Sequence, residues 1–450
     1  MAAPVLSLTD GTTTIQLNSG DYMTTGVELG IASPGLPDNS AINDSINLVI
    51  SGSSESVVQS NARAIETMLD GARRRAVYGV GPRVYLQAQI GGDSGLWRSE
   101  LLFDVAKPAE ASRLSLPAAI DQLWRTKVDA VLLTARRPYW EDATERAIQL
   151  SAQGQSASTS ARTVQNNGVD NWLQIDSAQI TGSAPAPARL LLTNTSGASR
   201  TYRDLFVGNN AYVNPGSFGN VIQGEAAASG GSNVSGSSWS AGSARSFSVS
   251  TSTITGQWTL PSAMMAAGGR FFRIFVRSGN PPSGMKITPY IYDNSGLIKL
   301  WGDSKNEVII NDGVSSWTLN DLGAIPIPPG GYDSTYAQVR LQLSMRASVS
   351  GTFVLDYINL IGLDSFRHIK QVGLDIGNNE QIEIDDIEGR YTYIASSVKH
   401  PIHIPLEQPL KVYPGVTQRL HVLSRPDSDT TAINWTMGAQ MFYRPRRLSL

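Results

Sequence analysis

The sequence predicts a mainly β protein, and three observations lead to that fold class. Short apolar runs are separated by turn-forming residues, with 42 Gly and 23 Pro among the 450 positions. Most of these runs alternate apolar and polar residues, as strands with one buried face do. Only one segment has the helical period. At this length we expect more than one domain.

The first 50 residues carry strand-like runs, of which SINLVISG places Ile46, Leu48 and Ile50 on one face. The next segment, SESVVQSNARAIETMLDGARRRA, changes to the helical period and predicts one amphipathic helix over about 55–75. A serine at position 53, 54 or 56 supplies the N-cap oxygen. The buried face is expected to consist of Val57, Val58, Asn61, Ala62, Ile65, Met68, Leu69 and Ala72.

Strand patterns resume after the helix. RVYLQAQI and WRSELLFDV, separated by GGDSG, predict a β-hairpin. TKVDAVLLTARRPYWE predicts a strand that stops at Pro138, because proline cannot donate to a central ladder. Residues 151–171 are polar, small and aperiodic, and we interpret them as a linker.

Residues 172–363 consist of short apolar runs separated by Gly, Pro, Asn and Ser, which predicts an inserted β-sandwich of jelly-roll type. Within it, 225–246 is rich in Gly and Ser and is expected to be a mobile surface loop. Residues 364–450 are too few for a separate core. We therefore expect 1–150 and 364–450 to form one domain into which the sandwich is inserted.

Composition excludes several functions. The formal net charge of −2 gives no basic field for nucleic acid, so no sequence-specific nucleic-acid binding is expected. There is no cysteine for a disulfide or a thiolate. We expect neither a signal peptide nor membrane insertion, because no apolar run is long enough. Phosphate-binding loops and nucleophile elbows are also absent, and the glycines at 79 and 81 indicate a turn.

The residues that carry acid, base or metal chemistry are scattered. His400 and His403 lie in a proline-flanked extended stretch without a carboxylate to complete a ligand set. Glu383 and Asp385 alternate with isoleucines, which predicts a half-buried strand with a solvated outer face. Asp356, inside an apolar strand, is expected to be satisfied by turn amides or a structural cation. We predict no catalytic, cofactor-binding or metal-binding residue, and no enzyme.

Aromatic residues of the predicted sandwich are candidates for sugar stacking, because a flat ring matches the C–H face of a pyranose. The candidate glycan contacts are Trp239, Tyr290, Tyr292 and Trp301. Trp239 lies in the Gly/Ser-rich stretch and is the most open to this interpretation. The alternative is that these rings belong to the core or its rim, as is common in β-sandwiches.

Four stretches carry a resemblance to a known family. LSLTDGTTTIQL, RVYLQAQIGGDSGLWRSELLFDV, LLTARRPYWE and FYRPRRLSL resemble the distal tail protein and related baseplate or minor tail proteins of long-tailed, siphovirus-like bacteriophages. The resemblance is best over 1–150 and 340–450. It implies a split belt domain that forms a ring, usually a hexamer, through which DNA passes. It also implies an inserted sandwich resembling carbohydrate-binding modules.

The same resemblance implies tail tube and tail hub proteins as partners, assembly in the host cytoplasm and a place in the virion. It also implies that the strand ends rich in Arg and aromatic residues contact other subunits, because such residues are enriched at protein interfaces. The candidate subunit contacts are Arg136, Arg137, Tyr139, Trp140, Tyr443, Arg444 and Arg446. We expect both stretches to lie at one rim of one domain.

Two other functions compete with a structural one. The first is a host-surface adhesion protein whose inserted sandwich binds a cell-wall glycan. The second is a glycoside hydrolase or lyase with the sandwich as an accessory module. The second requires a pair of carboxylates flanking a groove, and the sequence displays no such pair.

Overall fold

The computed structural model describes residues 5–31, 41–89, 95–103, 109–114, 127–152, 155–165, 171–211, 221–237, 239–260, 270–310, 318–327, 339–404, 408–426 and 436–450. The described residues form strands and one α-helix, so the mainly β prediction is confirmed. Among the described residues, no helix combines the length and the apolar character that a membrane crossing requires.

The elements fall into four segments. The first contains β1 (Val5–Thr9), β2 (Thr14–Gln16), β3 (Tyr22–Glu28), β4 (Ile42–Gly52), α1 (Glu55–Tyr78), β5 (Tyr85–Gln89), β6 (Trp97–Glu100), β7 (Glu110–Leu114), β8 (Lys127–Arg137) and β9 (Trp140–Asp142). The second contains β10 (Arg146–Ile148), β11 (Arg162–Gln165), β12 (Trp172–Ile175), β13 (Ala186–Asn194) and β14 (Arg200–Asn210).

The third segment contains β15 (Val221–Gln223), β16 (Ser232–Ser235), β17 (Ser243–Val249), β18 (Ile254–Leu260), β19 (Arg270–Gly279), β20 (Lys286–Asp293), β21 (Lys299–Trp301), β22 (Val308–Ile309), β23 (Thr318–Ile327), β24 (Val339–Arg346) and β25 (Gly351–Gly362). The fourth contains β26 (Phe366–Ile376), β27 (Gln381–Asp385), β28 (Arg390–Ala395), β29 (Val398–Pro401), β30 (Lys411–Val412), β31 (Gln418–Pro426), β32 (Thr436–Tyr443) and β33 (Arg446–Arg447).

The chain divides into two compact units. Unit 1 consists of 1–145, 182–184 and 444–450, and unit 2 consists of 146–181 and 185–443. Unit 1 contains a six-stranded sheet of order β2-β1-β5-β6-β9-β33 and a four-stranded sheet of order β3-β4-β8-β7. Its last strand, β33, pairs antiparallel with β9 at one edge of the sheet that also contains β1.

Helix α1 follows the predicted pattern. The Ser54 hydroxyl accepts a hydrogen bond from the Val57 amide at its start, and Gly79 ends it in the left-handed conformation with φ 72°. Its buried residues are Val58, Ala62, Ile65, Met68, Leu69 and Ala72, which belong to the core of unit 1. Val57 and Asn61 lie at the edge of this face and are half-buried.

Unit 2 contains two cores. In the first, the sheet β10-β32-β13-β27-β28-β29, extended by β11 and β30, shares a core with the sheet β12-β31-β14-β26. In the second, the sheet β16-β17-β25-β19-β23, extended by β15, shares a core with the five-stranded sheet β18-β24-β20-β21 and β22. A smaller cluster that includes Phe206, Phe275 and Phe366 joins the two parts.

The strand pairing divides the chain differently from the predicted domains. Strands β26, β27, β31 and β32, from within 364–450, pair with β10 to β14 in unit 2, and only 444–450 belongs to unit 1. The predicted linker contains β11, which pairs with β32. The physical reason is strand pairing, because these apolar runs complete sheets with strands of 146–210. The partner and register of a strand depend on residues far away in the sequence, which the local apolar pattern does not reveal.

Candidate functional site

The Arg- and aromatic-rich stretch around Pro138 lies where two strands of unit 1 meet. Strand β8 ends at Arg137, directly before Pro138, and β9 begins at Trp140. Strand β33 pairs with β9, with Arg446 opposite Glu141 and Arg447 opposite Trp140. The structure therefore brings the two sequence stretches together at one edge of the six-stranded sheet.

Arg137 is the centre of a buried polar group. Its guanidinium forms a bidentate ion pair with Asp44, in which Nη2 donates to Oδ1 at 3.0 Å. Nη2 also donates to the Gly30 carbonyl at 3.0 Å, and the group lies 4.2 Å from the centre of the Trp140 ring system. Burial raises the pKa of Asp44 and lowers that of Arg137, while their mutual contact acts in the opposite direction.

Three of the seven predicted subunit contacts lie inside the chain. Arg137 and Trp140 are 0% exposed and Tyr443 is 1% exposed, so their side chains offer no surface to another subunit. The Tyr443 hydroxyl instead accepts from the Thr181 amide at 2.9 Å and donates to the Gln179 carbonyl at 3.1 Å. All three are core residues: Arg137 and Tyr443 find polar partners within their own units, whereas the buried Trp140 Nε1 has no hydrogen-bond partner among the described residues.

The other four, Arg136, Tyr139, Arg444 and Arg446, are half-buried. The Arg444 guanidinium donates to the Asp142 carbonyl at 3.4 Å and to the Ala143 carbonyl. The Arg446 guanidinium lies 5.5 Å from the centre of the Tyr139 ring. For these four residues, a role in subunit contact stays a prediction.

Exposed apolar side chains of unit 1 lie elsewhere. Edge strand β3 carries Met23, 59% exposed, and Val27, 43% exposed, and Ile31 beyond it is 74% exposed. Among the described strands, β3 pairs only with β4. The C-terminal end of α1 presents Val77 and Tyr78, 71% and 75% exposed. Sequence alternation alone does not reveal these positions, because it does not distinguish an edge strand from a central one.

The four predicted glycan contacts separate into two groups. Tyr290 and Tyr292 lie together on the outer face of β20, with ring centres 6.4 Å apart. Trp301 on β21 packs against the core of the sandwich instead. Trp239 is half-buried at the N-cap of a 3-10 turn, Ser240–Gly242. The Gly/Ser-rich stretch around it, predicted as a loop, forms β16, this turn and the start of β17.

Three polar residues that sequence reasoning missed lie beside the two tyrosines. Gln342 on β24 is directly opposite both Tyr290 on β20 and Gln257 on β18, and Arg340 is opposite Tyr292. Alternation with Trp258, Leu341 and Leu343 indicates that these side chains point away from the core. Their proximity to the tyrosines depends on register, which requires the structure.

Asp356 is satisfied by a guanidinium and a turn amide. It is 0% exposed, forms an ion pair with Arg277 and accepts a hydrogen bond from the Ser240 amide at 2.7 Å. Burial raises the pKa of Asp356 to about 6, against the lowering effect of Arg277. The carboxylate therefore fixes the 3-10 turn that follows Trp239 to the sandwich.

The acidic strand β27 is more buried than predicted. Glu383 is 7% exposed, and its carboxylate contacts Lys399 Nζ at 2.7 Å and Arg189 Nη1 at 3.3 Å. Asp385 is 3% exposed and accepts from the Glu388 amide at 3.0 Å. The predicted outer face is thus covered by paired side chains rather than solvated, because the strand lies inside a sheet, between β13 and β28.

The histidines have separate surroundings. His368 Nε2 lies 2.7 Å from Asp204 Oδ1. His421 is 0% exposed, its Nδ1 lies 3.4 Å from the Asn359 amide nitrogen, and burial lowers the pKa of His421 to about 3. Within the described residues, no group of three or more His, Asp or Glu side chains is arranged to hold a metal ion.

Comparison with known proteins gives limited information. No protein-family model matches the sequence, and no curated protein matches it either. Among solved structures, the chain is similar to the SPP1 Dit (gp 19.1) protein, described as a paradigm of the hub adsorption apparatus in phages that infect Gram-positive bacteria. The match has a TM-score of 0.29 and 7% identity over 99% of both chains. Neither value is high enough to assign a fold or a family.

Proposed function

We propose that this chain is a structural virion protein of a long-tailed phage, of the distal-tail type. In this role it forms a ring that joins the tail tube to the baseplate hub and lets DNA pass. The observation that carries the proposal is that unit 1 is assembled from 1–145, 182–184 and 444–450, with most of the chain lying between its first and last segments. The resemblance implies a belt domain that is split in sequence, with 364–450 as its second part, of which unit 1 contains 444–450.

The exposed edge of unit 1 supports assembly with further copies. Natural sheets protect their edge strands with charged residues, proline or covering segments. Strand β3 instead exposes Met23 and Val27, and a large exposed apolar side chain at a sheet edge favours association. A contact between this edge and a different surface of the next copy is head-to-tail, and such contacts form a ring when the rotation between copies closes and an open filament when it does not.

The near-neutral charge suits a channel protein. With a net charge of −2, the chain has no general attraction for the phosphate backbone that would retain passing DNA. The proposal predicts partners in the tail tube and the hub, assembly in the host cytoplasm and no turnover of any substrate. The half-buried Arg136, Tyr139, Arg444 and Arg446 are secondary contact candidates.

The test measures the assembly state of the full chain by light scattering and negative-stain microscopy. We expect closed rings for the unaltered protein and monomers for the Met23→Asp/Val27→Asp double variant. Val349→Asp, at a valine of unit 2 that is 56% exposed, is the matched control and is expected to keep the ring. A protein that stays monomeric at high concentration and binds neither tube nor hub protein would contradict the proposal.

A further inference from the structure

Four arginines are buried among the described residues, and one of them differs from the others. Three form ion pairs with aspartates. The three pairs are Arg137 with Asp44, Arg277 with Asp356 and Arg367 with Asp386. The fourth, Arg419 on β31, is 7% exposed and forms no ion pair with any described carboxylate. A buried charge without a counter-charge is costly, so we searched the surroundings of Arg419 for its partner.

The polar residues beside Arg419 on the two flanking strands are bonded elsewhere. Gln174 on β12 is opposite Arg419, and its Nε2 donates to Asp176 Oδ1 at 2.6 Å. Asn210 on β14 is opposite Arg419 on the other side, and its side-chain amide bonds to backbone groups of β25. The Arg419 guanidinium stacks on Trp172, 3.8 Å from the ring centre. This contact leaves the buried Arg419 Nε without a hydrogen-bond acceptor among the described residues.

A second donor without an acceptor lies two residues along the same strand. His421 is 0% exposed, and its Nδ1 lies 3.4 Å from the Asn359 side-chain nitrogen on β25. Because an amide nitrogen donates, Nδ1 accepts, and the neutral ring carries its proton on Nε2. Burial, and then the charge of Arg419, keep the ring neutral by lowering the pKa of His421 to about 3. His421 Nε2 is buried and has no partner among the described residues.

The two donors lie on the same face of β31. Arg419 and His421 alternate with Leu420 and Val422, which belong to the first core of unit 2. Two residues further along the opposite face is Leu423, a member of the cluster that joins the two cores. The donors therefore lie where the two cores meet. Arg419, which is 7% exposed, connects this position with the surface.

We propose that Arg419 and His421 form a binding site for a small oxyanion or carboxylate at the contact between the two cores of unit 2. An anion with two or more oxygens can accept from both Arg419 Nε–H and His421 Nε2–H, and hydrogen bonds between an ionised acceptor and a cation are strong. Its charge would compensate that of Arg419. Burial alone lowers the pKa of Arg419, with no described carboxylate acting against it.

The donors define the class of the ligand. A cation is repelled by Arg419, and a neutral acceptor leaves the buried guanidinium without a counter-charge. Asn359 Oδ1 is also buried without a partner among the described residues, and it can accept from the hydroxyl of hydrogen phosphate. Phosphate is therefore expected to bind at least as tightly as sulfate, which has no hydroxyl at neutral pH.

This site is independent of ring assembly. It lies within unit 2, whereas the edge strand β3 that we propose as an assembly surface belongs to unit 1. A ligand that binds the folded chain and not the unfolded one stabilises it. We therefore expect the anion to stabilise unit 2 and not to change the number of copies in the ring.

The first test is isothermal titration calorimetry of the full chain with phosphate, sulfate and acetate, in chloride buffer of constant ionic strength. We expect a saturable site for at least one of the three, and acetate distinguishes a carboxylate ligand from an inorganic oxyanion. Arg419→Lys keeps the charge but removes Nε–H, and is expected to weaken binding about tenfold, the effect of losing one charged hydrogen bond. Arg419→Met is expected to abolish binding. Arg74→Met, at an exposed arginine on α1, is the matched control and is expected to bind like the parent.

The second test is thermal unfolding of the same proteins. Without the oxyanion, Arg419→Met removes an uncompensated buried charge and is expected not to lower the unfolding temperature, unlike Arg137→Met, which breaks an ion pair. Saturating anion is expected to raise the unfolding temperature of the parent by about 3 °C more than that of Arg419→Met. General effects of the salt act on both proteins and cancel in this difference.

Two results would overturn the proposal. The first is a parent protein that shows no saturable binding of phosphate, sulfate or acetate. The second is a folded Arg419→Met protein that binds the anion as tightly as the parent does, or that gains as much in unfolding temperature from it.

Discussion

Arg137 and Asp44 form an ion pair in which both side chains are 0% exposed. They are held together by direct pairing of β8 with β4, in which Ile42 is opposite Arg137 and Asp44 is opposite Ala135. Removing one member of such a pair leaves a buried charge without its counter-charge. We therefore expect Arg137→Met to destabilise the protein by about 3–5 kcal/mol, measured by urea unfolding.

The matched double variant Arg137→Met/Asp44→Leu removes both charges and is expected to recover most of this loss. Arg74→Met, at an exposed arginine on α1, is the control for loss of an arginine. An unchanged unfolding midpoint for Arg137→Met alone would show that the pair is not buried as described. Arg137 is therefore unsuitable as a probe of assembly.

His421 gives unit 2 a dependence on pH. Burial lowers its pKa from 6.5 to about 3, so between these values the unfolded chain binds a proton that the folded chain does not. Stability is thus expected to fall as pH drops below 6.5, by at most about 1.4 kcal/mol per pH unit. His421→Gln removes this titration, and urea unfolding at several pH values from 7 to 4 measures the difference.

Asp356 acts in the opposite direction over part of this range. Burial raises the pKa of Asp356 to about 6, so the folded chain binds this proton more tightly than the unfolded chain does. The contribution of Asp356 to the free energy of unfolding therefore falls as pH rises from about 4 to 6. The informative quantity is therefore the difference between the His421→Gln variant and the parent at each pH. A difference that is constant across the range would contradict the prediction.

Ser54 caps helix α1, and its loss should weaken unit 1. Ser54→Ala removes the acceptor of the Val57 amide and is expected to cost about 1 kcal/mol. Ser60→Ala, at an exposed position within the same helix, removes the same atom without a cap and is expected to be neutral or slightly stabilising. Equal midpoints for the two variants in thermal unfolding would exclude a capping role.

Two glycines are expected to respond oppositely to alanine. At Gly208 on β14, a Cβ would lie 2.1 Å from Ile361 Cγ2, so Gly208→Ala forces the two parts of unit 2 apart and is expected to cost about 1–3 kcal/mol. At Gly71 in α1, the nearest atoms are 3.6 Å away. Gly71→Ala is therefore expected to stabilise the helix by about 0.5–1 kcal/mol. Unfolding midpoints that shift in the same direction would contradict this.

Local pattern predicted some features and could not predict others. The period of apolar residues located α1, and Pro138 located the end of β8, because both depend on neighbouring residues. The burial of Arg137 depends on Asp44, which lies 93 positions away. The alternation of Glu383 and Asp385 with isoleucines located β27, but its partner β13 lies more than a hundred residues earlier in the sequence and is selected by register.

The pairing of β33 with β9 has a consequence for synthesis of the chain. The ribosome makes residues 143–445 after β9 and before β33, so unit 1 lacks its outermost strand throughout that time. Strands of unit 2 are complete at Tyr443, before β33 emerges. Unit 2 therefore has all its residues available to fold first, although unit 1 begins first, and domains generally fold as units during translation. Unit 1, which contains the first residues to be synthesised, is thus the second of the two units to be completed.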